Sequence, residues 1–242
     1  MKFTYVYHSC YVLETDTCSV IFDFYKDSGE LWNKGFVHDE LLSDSSKPLY
    51  VLSSHVHPDH FNASVLSWRA AGRNITYILS KDILDNKRAE TADDTVFLDK
   101  GDEYKDENLY VKAFGSTDVG VSFFLKLDGK SIFHAGDLNN WHWKDESTAE
   151  EVAEAEAFYH RELSDITREV KHLDLAIFPV DPRLGTDYSR GAREFLSQIE
   201  VDTFAPMHFG EAYSTIAQFK EVTDAANCKY LIPINKGQSF FI

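Results

Sequence analysis

Apolar residues fall into short runs separated by turn formers, and the period of each run predicts its element. Phe3–Tyr7, Cys10–Glu14 and Ser19–Phe24 are rich in β-branched and aromatic residues, with Asp16 and Thr17 between the last two, so all three read as strands. Leu49–Ser53 reads as a short, apolar, buried strand. Ala63–Ala71 reads as a helix, with Asn62 as its N-cap and Gly72 as its stop. Ile75–Leu79 follows as a strand, which completes a β-α-β unit.

A second set of strands is predicted over Thr95–Leu98, Leu109–Phe114, Val119–Leu127 and Ser131–His134, with Asp128-Gly129 as a tight hairpin turn. The longest helical segment runs from Thr148 to about His172, is rich in Ala and Glu, and is capped by Ser147 or Thr148. Thereafter strand and helix alternate through Leu175–Pro179, Gly191–Ile199, Thr203–Ala205, Thr215–Ala226, Tyr230–Ile232 and Ser239–Ile242. Strands then helices, twice over, predict an α+β fold in which two packed β-sheets are covered outside by helices. No linker, low-complexity tract or repeat divides the chain, so residues 1–242 are expected to form a single domain.

Composition narrows the function more than the fold. Of 242 residues, 43% are hydrophobic and 14% aromatic, enough for a substantial core. A formal net charge of -16 argues against binding to a nucleic-acid backbone. It leaves room for a small anionic substrate, because a metal and a few Arg residues can override the global field locally. Cys10, Cys18 and Cys228 are odd in number and irregularly spaced, which fits buried free thiols in a reducing compartment. The N-terminus reads as a strand and no run approaches a membrane span, so a cytoplasmic protein without membrane insertion is expected. The acidity keeps a symmetric homo-oligomer open.

The densest chemistry is Ser53-Ser54-His55-Val56-His57-Pro58-Asp59-His60, which packs three imidazoles and a carboxylate into six positions directly after a predicted strand. Divalent ions such as zinc and manganese accept these donors. Other chemistry-bearing residues also stand where strands end: His8, Ser116-Thr117-Asp118, His134-Ala135-Gly136-Asp137 and Pro206-Met207-His208. Polar groups at several strand ends converge readily on one sheet edge.

The H-x-H-x-D-H signature, the later Ala-Gly-Asp and the late strand-end His together resemble the metallo-β-lactamase superfamily. The opening Tyr7-His8-Ser9-Cys10-Tyr11-Val12-Leu13-Glu14 resembles the subgroup of L-ascorbate-6-phosphate lactonase and N-acyl-phosphatidylethanolamine phospholipase D. The resemblance implies a four-layer αββα sandwich with one or two divalent metals, zinc or manganese, at one edge of the sheets. Carried over, His55 and His57 bind the first metal, Asp59, His60 and His208 the second, and Asp137 bridges them. The family's usual third His of the first site falls at Ser116, a poor ligand. Asp118, two residues on, is either a replacement oxygen ligand, which favours a harder metal such as manganese, or a turn-forming Asp.

His8 and His134 read equally as groups orienting a ligand or as packed histidines. Trp141 and Trp143 read first as anchors for the following helix and second as pocket lining; His142 between them is a candidate proton donor. Arg183 and Arg190, in a loop ahead of a helix, are solvated or grip an anion. The Glu-rich run from Glu146 to Glu156 is a solvated helix face.

The expected function is a metal-dependent hydrolase that uses a metal-bound hydroxide on a small anionic ester, lactone or phosphodiester, with Asp59 or His142 handling protons. The competing expectation, prompted by Ser116, is a non-catalytic metal-binding or ligand-sensing protein on the same fold.

Overall fold

The computed structural model describes residues 1–242, apart from the side chain of Ala71. Strands β1 (Lys2–Tyr7), β2 (Cys10–Glu14), β3 (Ser19–Phe22), β4 (Leu49–Ser53), β5 (Ile75–Ser80) and β6 (Thr95–Leu98) build the first sheet. Within it, β1 to β3 are antiparallel and β3 to β6 parallel. The second sheet repeats that plan. Strands β7 (Glu103–Lys105), β8 (Leu109–Phe114), β9 (Ser122–Leu127) and β10 (Lys130–His134) are antiparallel; β11 (His172–Pro179), β12 (Glu200–Met207) and β13 (Lys229–Tyr230) continue parallel. β14 (Ser239–Phe241) returns to pair with β1, so each sheet has seven strands.

Side chains alternate across a strand, and here each face meets a different core. Tyr5, Tyr11, Val20, Phe22 and Leu52 point into the core shared with the second sheet. Val6, Val12, Ile21, Leu49 and Val51 point into a separate outer core. Burial on both faces is the physical reason these strands read as nearly continuous apolar runs.

The outer core is covered by a single π-helical turn, Val37–Leu41, a 3₁₀ helix, Ala63–Ala71, and α1 (Lys81–Asp85), through Val37, Val65, Trp68 and Ile83. Helices α2 (Ala149–Glu169), α3 (Arg190–Gln198), α4 (Tyr213–Gln218) and α5 (Lys220–Ala225) cover the second sheet, where Tyr159, Leu163, Ile166, Phe195 and Ile216 join the central core. The result is the αββα sandwich. Among the described residues, no helix is long and apolar enough to cross a membrane.

Several elements differ from the sequence-based expectation, each for a local reason. The 63–71 helix is 3₁₀: Ser67 Oγ donates to the Ser64 carbonyl at 2.6 Å, a side-chain bond that competes with the α pattern. Asn62 caps it and Gly72 ends it with φ 71°. The third strand stops at Phe22 because Asp23 turns out of it with φ 45°. The ninth starts only at Ser122, after Gly120 at φ 77°. The segment 215–226 is two helices rather than one, broken at Phe219, which is buried against Phe204 and Tyr230. At the head of α2, Thr148 and Glu151 form a reciprocal capping box.

Candidate metal centre

The functional side chains leave from the carboxyl ends of strands in both sheets. His8 follows β1, Asp23 follows β3, and His55 to His60 follow β4; Asp137, Asp181 and His208 follow β10, β11 and β12. Carboxyl ends of parallel strands are where such sheets place ligand sites. Asp118 comes from the loop between β8 and β9, which closes onto the His cluster through a 2.9 Å bond from Val121 N to the Ser54 carbonyl. Gly120 makes this approach practicable: a Cβ there would collide with Ser54 O and His55 Cβ.

Two donor groups result, each gathered within 4.8 Å: His8, Asp59, His60 and His208, and His55, His57, Asp118 and Asp137. Asp137 reaches across both. Its Oδ1 lies 3.0 Å from His60 Nε2 and 3.3 Å from His208 Nε2, and its Oδ2 lies 3.5 Å from His55 Nε2. The Nε2 atoms of His8, His55, His60 and His208, and Oδ1 of Asp137, are all buried without a hydrogen-bond partner. Unpaired buried polar atoms are costly and rare. Five converging at one place, with imidazole and carboxylate chemistry, fit divalent cations.

The inner group is the better braced. Asp23 is fully buried; it accepts from His60 Nδ1, Ser54 N and Ser54 Oγ, each at 2.7 Å. Asp181 accepts from His208 Nδ1 at 2.8 Å and binds the Arg183 guanidinium. These carboxylates hold the Nδ1 protons and so present Nε2 to the centre. His55 is steadied more weakly, with Nδ1 3.0 Å from Ser54 Oγ.

The electrostatics favour positive charge at the centre. Burial alone would raise Asp137, but the His60 and His208 imidazoles hold it well below the ordinary carboxylate range. Asp59 is depressed likewise, where His8 and His60 outweigh burial. Burial tends to lower His60, yet the flanking Asp137 and Asp23 carboxylates push it well up. Burial, reinforced by the charge on His60, takes His55 down to about 3, leaving a neutral imidazole of the kind that ligates.

Residues 2–154, more than half of the chain, match the beta-lactamase superfamily domain. The chain belongs to that superfamily. Its fold is similar to that of Igni18, a metallo hydrolase from the archaeon Ignicoccus hospitalis, at 18% identity and TM-score 0.68 over 100% of this chain and 98% of that one. An isothiocyanate hydrolase from Delia radicum gut bacteria is similar at 14% identity and TM-score 0.59, covering 100% and 99% of the two chains. CmlA, a diiron beta-hydroxylase from Streptomyces venezuelae, is similar at 15% identity and TM-score 0.66 over 100% of this chain but 54% of its own. No curated protein matches the chain.

In this superfamily member the departure at Ser116 has a structural counterpart. Ser116 is buried and its Oγ accepts from Asp118 N at 3.3 Å, while Asp118 Oδ2 lies 3.4 Å from His57 Nδ1. The Asp118 carboxylate, not Ser116, is what the loop brings to the outer group. That group is also the more open one: the side chains of His57 and Asp118 are 44% and 41% exposed, against 0% for His60 and 4% for His208.

Three sequence candidates are not brought to the centre. His142 is buried; Nδ1 accepts from Lys144 N at 3.1 Å and Nε2 lies 3.3 Å from the Asp187 carbonyl, so it ties two loops together and cannot serve as a proton donor here. Arg190 is spent on Glu156 and Glu194, joining α3 to α2. His134 is a packed residue stacked on Phe22, with Nε2 3.0 Å from the Ser9 carbonyl and Nδ1 accepting from Gly136 N. His8, by contrast, does reach the inner group.

Trp141 and Trp143 line the pocket with Asp118, Asp137, Arg183 and His208. Sequence reasoning missed Asp23 and the bracing role of Asp181. Asp23 did carry a signal: a carboxylate set between the apolar Val20-Ile21-Phe22 and Phe24.

Proposed function

We propose that this chain is a metal-dependent hydrolase of a small anionic ester, lactone or phosphodiester, with two divalent ions held by His55, His57, Asp118 and by Asp59, His60, His208, and Asp137 between them. His8 is the additional donor at the inner position. The observation that carries the reading is the convergence of five buried, unpartnered donor atoms. Bound there, a divalent ion lowers the pKa of coordinated water and polarises a substrate oxygen. Zinc suits the imidazole-rich inner group, and the oxygen of Asp118 suits manganese as well.

The chain's own residues supply the rest. Asp59 is kept ionised by His8 and His60 and is 39% exposed, so it borders both the centre and solvent. It takes the proton released when water adds to the carbonyl carbon or phosphorus, and returns it to the oxygen that leaves. The C–O or P–O bond breaks, yielding an acid and an alcohol. Arg183, whose side chain is 63% exposed at the pocket, attracts the anionic substrate.

A non-catalytic binding protein drew its support from the loss at Ser116. The Asp118 carboxylate beside His57 supplies a donor at that station and favours the enzyme.

The test is turnover of aryl esters, lactones and aryl phosphodiesters by protein loaded with zinc or manganese. Turnover of one class is expected, with Asp59→Asn lowering kcat by ~10²–10⁴-fold even when metal is supplied at saturation, since the variant also weakens metal binding. Metal-loaded wild type inert towards all three classes would overturn the reading.

A further inference from the structure

Two chambers of about 330 Å³ each flank the metal centre and share Arg183 and His208 as a common wall. One opens over Asp118 and Asp137; the other opens over His8 and Asp59. The first chamber borders the outer group and meets the inner group at His208, and the second borders the inner group alone. A substrate whose reacting atom sits at the His208 wall can send one substituent into each chamber.

The two walls differ in chemistry. In the first chamber Trp141 is fixed by a 2.7 Å bond from Nε1 to the Asp137 carbonyl, and its ring stacks with Trp143 at 6.2 Å and 15°. Trp143 is held in place from behind, since the His142 ring accepts from Lys144 N and meets the Asp187 carbonyl. A rigid indole pair presents flat apolar surface with little ordering cost.

The second chamber is walled by Tyr7 and Tyr25, and two ammonium groups sit on those rings. Lys26 Nζ lies 3.9 Å from the Tyr7 centroid and 5.9 Å from that of Tyr25; Lys236 Nζ lies 5.3 Å from Tyr7. Arg183 on the shared wall lines the chamber, and Lys26 and Lys236 stand against its Tyr7 wall, in a chain of net charge -16. Arg183 is paired with Asp181 and Lys236 with Glu211 at 3.0 Å, while Asp59 belongs to the donor group; among the described residues Lys26 is the cation here without an ion-pair partner.

We infer that the substrate is bipartite, with a planar apolar group against Trp141 and Trp143 and an anionic group in the tyrosine chamber, drawn by Lys26 and Arg183. The unpaired Lys26 ammonium supplies the local positive charge that opposes the chain's global field at that end. The inference rests on the metal-dependent reading above and adds the orientation of the substrate.

Three non-hydrolysable phosphinates test it, each placing phosphorus at the centre: benzyl(carboxymethyl)phosphinate, benzyl(methyl)phosphinate and (carboxymethyl)(methyl)phosphinate. Binding to zinc-loaded protein is measured by calorimetry, without turnover. The first probe binds tightest. Lys26→Gln weakens the two carboxylated probes by about tenfold and leaves benzyl(methyl)phosphinate unchanged. Trp143→Ala weakens the two benzylated probes by about tenfold and spares the third. Unchanged zinc content in both variants shows that the site has survived. Equal affinity for the three probes, or a uniform loss in either variant, overturns the bipartite assignment and leaves the metal-dependent reading standing. Failure of zinc-loaded wild type to bind any probe sinks both.

Discussion

The amide of His208 donates to the carbonyl of His8 at 3.3 Å, and both residues hold left-handed backbone angles, φ 64° and 57°. One belongs to the end of β12 and the other to the end of β1, so this bond joins the two sheets at the metal centre. Their rings lie 4.3 Å apart, each with a buried, unpartnered Nε2. Non-glycine residues in this region cost roughly 1–3 kcal/mol each and persist only where the surroundings hold them. A function for the imidazoles accounts for that strain.

His8 is therefore expected to act as a metal donor. His8→Asn keeps a residue that tolerates the left-handed conformation and removes the imidazole. Calorimetric titration should show about tenfold weaker binding at the tighter site, with the melting temperature of the metal-free protein unchanged. Unaltered affinity would make His8 a packing residue only.

Asp118 should govern the looser site. In Asp118→Ala, competition with a chelator is expected to strip one metal readily while the ion at His60 and His208 stays. Loss of both ions together, or of neither, would remove Asp118 from the ligand set.

Asp23 touches no substrate, yet it orients His60. Asp23→Asn should lower affinity at the inner site by ~10–100-fold, the usual cost of removing a carboxylate behind a ligating histidine. The outer site should change less, because His55 reaches Asp23 only through Ser54. Equal losses at both sites would point to collapse of the whole cluster.

The thiols offer a prediction away from the metals. Burial raises Cys228 from 9.0 to about 12, and Cys10 is pushed well up by the same cause. Because the folded value exceeds the unfolded one, the stability tied to the neutral Cys228 thiol is complete below pH 9 and is lost as pH climbs towards 12. At pH 8 its thiolate fraction is ~10⁻⁴. Cys10, Cys18 and Cys228 should stay unreactive towards a disulfide reagent until denaturation and then all react. A fast-reacting thiol in the native protein at pH 8 would contradict this packing.

Much of the sandwich was legible because its strands are short, apolar on both faces and punctuated by turn residues. Cys10–Glu14, Leu49–Ser53 and Leu109–Phe114 lie where their patterns put them. Glu103–Lys105 was not legible, being three residues with two charged ends, held as a strand only by pairing with β8. In the site, the His55 cluster announced itself by density, since all its members are local. Asp23 and Asp181 did not, because a bracing carboxylate is defined by the imidazole it meets, and those partners lie 37 and 27 residues away. His142 misled for the opposite reason: neighbours in sequence beside Asp137, it turns away from the pocket to bind backbone.

The most direct measurement is metals per chain, by elemental analysis of protein purified without a chelating tag. Two divalent ions per chain are predicted, falling to one in Asp118→Ala. A fully folded wild-type chain that takes up no ion when zinc and manganese are offered would contradict the account at its centre.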